Sequence, residues 1–338
     1  MTVRRIVTAG TAVLAACGLL AMAPAAVQAS SASDPTWTRQ TPAVHPGWRG
    51  EASMAYDAAT STAVLFGGIG AHRVLSDTWT WDGSTWTQQH PAVHPSARRG
   101  ASMAYDAATG TVVLFGGCCK RGSLLSDTWT WDGSTWTQQH PAVHPPARYA
   151  AAMAYDAATG TVVLFSGCCK RDGSLLSATW TWDGSTWTQQ HPPTSPAARF
   201  DASMAYDAAT GTAVLFGGDD NHSLRADTWT WDGTTWTQQA PAASPSGRYA
   251  AAMAYDDATG TVLLFSGSGP GGSGSTGVLS DTWTWDGSTW TQQHPATSPP
   301  PARFEAAMTY DTATGTAVLF GGGSRHVNNY LSDTWTWG

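Results

Sequence analysis

Six arginines set the first chemical question. Arg49, Arg98, Arg148, Arg199, Arg248 and Arg303 each stand five residues before a Met-Ala/Thr-Tyr-Asp tetrad. A ring of guanidinium groups could hold a carboxylate, a sulfate or a sugar acid through paired N–H donors. The same residues could instead pair with Asp77, Asp127, Asp227, Asp281 and Asp333, which recur at a fixed place later in each unit. Because five of the six units repeat both partners, structural pairing is the expected use of most of them. Ala178 replaces the aspartate of the third unit. That marks Arg148, or Arg199 if the pairing crosses units, as a guanidinium for a ligand.

Two further groups could do chemistry. Cys118-Cys119 and Cys168-Cys169 occupy corresponding places in neighbouring units, each followed by Lys-Arg: Lys120-Arg121 and Lys170-Arg171, with the chain's two lysines. No C-x-x-C spacing supports a zinc or redox site. Vicinal disulfides and bridges between neighbouring units both satisfy the pattern. Separately, His72, His222 and His326 occur in the units that carry an acid two residues after the arginine: Glu51, Asp201 and Glu305. Three carboxylates with three imidazoles above them could coordinate a divalent metal through water. Chance variation on solvated loops would produce the same coincidence. With Asp219 and Asp220 near Asp201, the four basic residues predict a face basic on one side and acidic beside it.

These residues need a scaffold, and the composition limits its type. The chain has 338 residues, 19 tryptophans, 12% charged residues and a formal charge of −7. Such aromatic content belongs to a globular protein rather than a disordered one. The acidic balance argues against a nucleic-acid partner, which needs a clustered basic face. Residues 1–29 read as a signal peptide: basic Arg4-Arg5, an apolar stretch from Ile6 to Ala23, and Val27-Gln28-Ala29 as the cleavage site. Leu14-Ala15-Ala16-Cys17 offers the alternative of a lipid anchor at Cys17. Either route takes the protein out of the cytoplasm, where disulfides persist. No later run is long enough to predict a transmembrane helix.

From residue 30 onward the chain is read as one repeat domain. Spacings between the six arginines are 49, 50, 51, 49 and 55 residues. A period near fifty suits four short strands and their turns, which is one blade of a β-propeller. In the second unit, Ala101 to Asp106 forms a small, apolar strand A. Thr111 to Gly117 is a continuously apolar strand B, buried on both faces. In strand C, DTWTWD, Trp129 and Trp131 alternate with threonine and share a face. Asp132-Gly133 turns into strand D with Trp136. Indoles at strand period are core. The last unit stops after strand C at Gly338, while PTWTRQ near the start matches the missing strand D. Residues 35–40 are therefore expected to complete the last blade, giving six blades and a ring without open edges.

The di-glycine after strand B, the Trp pair of strand C, the Trp of strand D and the Pro-x-Arg entry resemble kelch repeats, the blade type of the galactose oxidase central domain. The resemblance implies an all-β, six-bladed propeller, and kelch propellers include both binding modules and enzymes. The A–B and C–D turns on one face repeat almost unchanged, whereas the B–C and D–A loops on the other vary, so binding is expected there. Near-identical blades favour a non-catalytic, monomeric module recognising an extracellular glycan or protein, with Tyr149 and Tyr249 on the binding face and no cofactor. One alternative is a galactose oxidase-like copper enzyme, which needs tyrosine and histidine ligands and a Tyr–Cys cross-link. Another is a sialidase-like glycan hydrolase, but WDGSTW departs from that family's Asp-box. The repeated His90, His94, His140, His144, His191 and His294 read as loop residues.

Overall fold

The computed structural model describes residues 34–71, 73–119, 122–168, 174–270, 276–324 and 330–338. Predictions for residues 1–29, Cys17, His72, Lys120, Arg121, Cys169, Lys170, Arg171 and His326 lie outside them. Six four-stranded antiparallel sheets form a six-bladed β-propeller. In the first blade strands A to D are Ser53–Asp57, Thr62–Phe66, Thr78–Trp81 and Trp86–Gln89. The A strands of successive blades touch one another in a closed cycle, which makes them the wall of the central channel. Among the described residues no helix is long and apolar enough to cross a membrane.

The predicted closure is present. Trp37–Gln40 pairs antiparallel with Thr334–Trp337, in the register Trp37 to Trp337 and Gln40 to Thr334. The N-terminal strand is strand D of the sixth blade.

The core lies between blades, which explains why strand B is apolar throughout. Ala63 and Leu65 face the sixth blade, packing with Val318 and Phe320. Val64 and Phe66 face the second, packing with Met103, Leu114 and Trp131. Twelve indoles, two per blade, are fully buried. Each strand-D indole also reaches back one blade: Trp136 Nε1 donates to Thr78 Oγ1 at 2.9 Å, and all six blades repeat this bond. The repeated turn face interlocks in the same way. A Cβ at Gly133 (φ 95°) would meet Thr60 Cγ2 of the preceding blade at 2.4 Å, so only glycine fits.

Candidate functional site: the channel mouth

The arginines are not at the mouth. Five of them turn into their own blades and grip the aspartate that opens strand C. Arg49 donates to both oxygens of Asp77 at 2.8 Å, and Trp79 Nε1 adds a third bond at 2.7 Å. Arg98–Asp127, Arg199–Asp227, Arg248–Asp281 and Arg303–Asp333 repeat the fork. Burial alone would raise these carboxyls, but the guanidinium bonds and charge outweigh it and hold all five below the ordinary range. Pairing stays within a blade, so Ala178 affects Arg148 and not Arg199. Arg148 donates to Pro146 O and Ser166 O and is 1% exposed. Trp180 Nε1, whose counterparts bond aspartate, has no hydrogen-bond partner among the described residues. Structural pairing, the expected use of most of these arginines, is what the five forks show, and Arg148 and Arg199 are both buried inside their blades.

The mouth belongs to the residues just after each arginine. The next residue in each blade is Gly50, Arg99, Tyr149, Phe200, Tyr249 or Phe304, and each bridges backbone to backbone with its own B–C loop. The one after that is Glu51, Gly100, Ala150, Asp201, Ala250 or Glu305. These six form a closed hydrogen-bonded circle, each N–H donating to the carbonyl of the preceding blade at 2.8–3.1 Å. All six adopt left-handed backbone, with φ between 51° and 57°. Only one is glycine, so the circle is held against a backbone cost of about 1–2 kcal/mol per non-glycine residue. Ala150→Gly is accordingly expected to stabilise the protein by about 1 kcal/mol. A thermal melt that shows no gain would contradict this account of the circle.

The circle gathers Glu51, Asp201 and Glu305 around one pocket of about 140 Å³. Asp201 is pushed up to about 8 by desolvation and then by the charge of Glu51. Glu305 is pushed up to about 9 by burial and by the charges of Glu51 and Asp201. Glu51 is also raised by burial, though the paired Arg99 guanidinium opposes this. Near neutrality Asp201 and Glu305 therefore carry protons, and a protonated carboxyl both donates and accepts hydrogen bonds. Residues that precede the circle also pair with one another. Arg99 lies 6.0 Å from the Tyr149 ring centroid, and Phe200 and Tyr249 are 6.2 Å apart.

The three acids line one pocket, and of the three imidazoles His222 is the one among the described residues. His222 is exposed on its loop, its N–H bonded to Asp220. Asp220 is in turn engaged by Arg225, which weakens the acidic side of the expected polarised face. Among the described residues no group of three His, Cys, Asp or Glu could hold a metal ion. Cys118 stands as a buried thiol, pushed up by desolvation, and any pairing with Cys169 lies outside the described residues. Tyr149 shares a side-chain hydrogen bond with Cys168 and is raised by burial. Arg99, Phe200 and Phe304 were missed by sequence reasoning. The available signal was the column directly after the arginine, bulky in five blades of six.

No protein-family model and no curated protein matches the chain. Among solved structures it is similar to YjhT, with a TM-score of 0.68 and 14% identity over 87% of this chain and 95% of that one. At this identity the likeness is one of fold: a six-bladed β-propeller.

Proposed function

We propose that the chain is an exported, non-catalytic binding propeller of kelch type, which engages an extracellular glycan or protein through its variable loop face. The observation that carries this is the channel mouth, where a near-uniform scaffold departs from itself. Three carboxyls share one pocket there, Arg99 pairs with Glu51 and lies against Tyr149, and Phe200 and Tyr249 lie against each other in adjacent blades, while the opposite face repeats the same two turns. Clefts with a few convergent polar groups among aromatic walls suit ligand binding.

Glycan arrays and cross-linking to extracellular proteins test it directly. A ligand should be found whose affinity falls roughly ten-fold or more in Tyr249→Ala or Asp201→Ala. Ala107→Glu, exposed on the repeated turn face, should leave it unchanged. Equal loss from the turn-face variant, or no bound ligand of either class, would sink the proposal.

A further inference from the structure

The seam where the first strand joins the last blade carries a groove of about 550 Å³. The first blade has the corresponding groove at about 270 Å³, with no Trp, Tyr or Phe in its wall. The seam differs at positions that the other blades hold nearly constant. Arg39 stands where all five others have glutamine, as Gln88 in the first blade. Trp48 stands where they have alanine or glycine, as Ala97 in the second. Tyr330 pairs with its B–C loop at a position that holds valine or leucine elsewhere, as Val74 in the first. A fourth departure accommodates the third. Gly50 is the one small residue in its column, and a Cβ there would meet Tyr330 Cε1 at 2.7 Å. Drift would scatter such changes around the ring; here three line one groove and the fourth makes room for one of them.

Their chemistry is specific. Trp48 is 50% exposed, whereas two indoles of every blade are fully buried. An indole held half in water offers a flat apolar face with nothing packed on it. Beside it, Arg39 supplies exposed donors. His45 Nδ1 donates to the Pro46 carbonyl at 2.9 Å, which leaves Nε2 as an acceptor. A pyranose presents the matching surface: one face of C–H groups, and hydroxyls around the edge that both donate and accept. A proline-rich peptide would instead use a row of aromatic ridges and little charge.

We propose that this seam groove binds a saccharide, with a sugar ring stacked on Trp48 and its hydroxyls held by Arg39 and His45. The proposal rests on the binding reading above and adds to it a ligand class and a site apart from the channel mouth.

The test uses the full chain on an array of cello-, xylo- and chito-oligosaccharides and oligogalacturonates, followed by titration calorimetry of whatever binds. At least one series should bind. Trp48→Ala should weaken it roughly ten-fold or more, while Trp48→Phe, which keeps a ring, should stay within roughly three-fold. Arg39→Gln, the residue of the other blades, should weaken it measurably. Trp48 is exposed, so loss of binding would not reflect unfolding, and a melt of each variant checks that. If no saccharide binds, or Trp48→Ala binds as wild type, the inference is overturned. If Asp201→Ala abolishes saccharide binding and Trp48→Ala does not, the sugar sits at the mouth; this inference then fails and the binding reading stands. Trp48-dependent binding of a proline-rich peptide without any saccharide would overturn the ligand class.

Discussion

Deleting Asp34–Gln40 is expected to produce the largest loss of stability available from so short a segment. The strand contributes a full ladder to Thr334–Trp337, extended by the exchange between Thr36 and Gly338. Trp37 is 2% exposed and packs 4.8 Å from Phe265 and 5.4 Å from Trp337. Its Nε1 donates to Thr282 Oγ1 in the fifth blade, and its carbonyl accepts from Thr297. Trp37→Ala alone should therefore cost about 3–5 kcal/mol, a large part of the 5–15 kcal/mol that typically holds a domain together. Deletion adds an exposed edge on the Trp335 strand and a hydrophobic interface facing water, so aggregation should accompany the loss. Denaturant titration of wild type, Trp37→Ala and the deletion should give three successively lower midpoints. A deletion variant that melts within about 2 °C of wild type would show that the ring does not depend on this closure.

That closure was legible in the sequence for a physical reason: the blades serve as templates for one another. PTWTRQ could be assigned to strand D because five other copies show what strand D looks like. The strands of the second blade also fall where expected, Ser102–Asp106, Thr111–Phe115, Thr128–Trp131 and Trp136–Gln139, since alternation and glycine turns are local signals. The site was only partly legible because it depends on direction and radius. Spacing alone does not show that each arginine turns inward to its own blade's aspartate. Nor does it show that Glu51 and Asp201, in the first and fourth blades, come close enough across the narrow channel for one charge to raise the other. The acids were found by comparing columns. Phe200 and Phe304 were overlooked because a bulky residue before a strand looks like ordinary packing until the backbone circle fixes where it stands.

The trio also makes stability depend on pH with an unusual sign. In the unfolded chain Asp201, Glu51 and Glu305 would ionise near pH 4. Folded, Asp201 and Glu305 hold their protons to about pH 8 and 9. Below pH 4 both states are protonated and the site costs nothing. As pH rises from about 4 towards 9 the unfolded chain releases protons that the folded site retains, so stability falls across that window. The groups facing the pair are Glu51 and, for Asp201, Asp219, whose charges add to the effect, Arg99, whose charge opposes it at both acids, and Tyr149 and Tyr330, both raised and neutral here. Because ionising one acid raises the others, the three do not add, and roughly 3–5 kcal/mol is the expected span. The five arginine-bound aspartates and the turn aspartates Asp82, Asp132, Asp183, Asp232 and Asp286 work in the opposite sense. Against their desolvation, partner bonds hold them low, so their contribution is present above about pH 4 and lost below it. The two limbs together place the melting maximum in mildly acid solution, roughly pH 4–6. Melting curves from pH 3 to 9 should show it, and the double variant Asp201→Asn/Glu305→Gln should flatten the alkaline limb while leaving the acid limb unchanged. A wild-type profile that is flat from pH 5 to 9, or an alkaline slope that survives in the double variant, would mean that the channel mouth does not hold its carboxyls in protonated form.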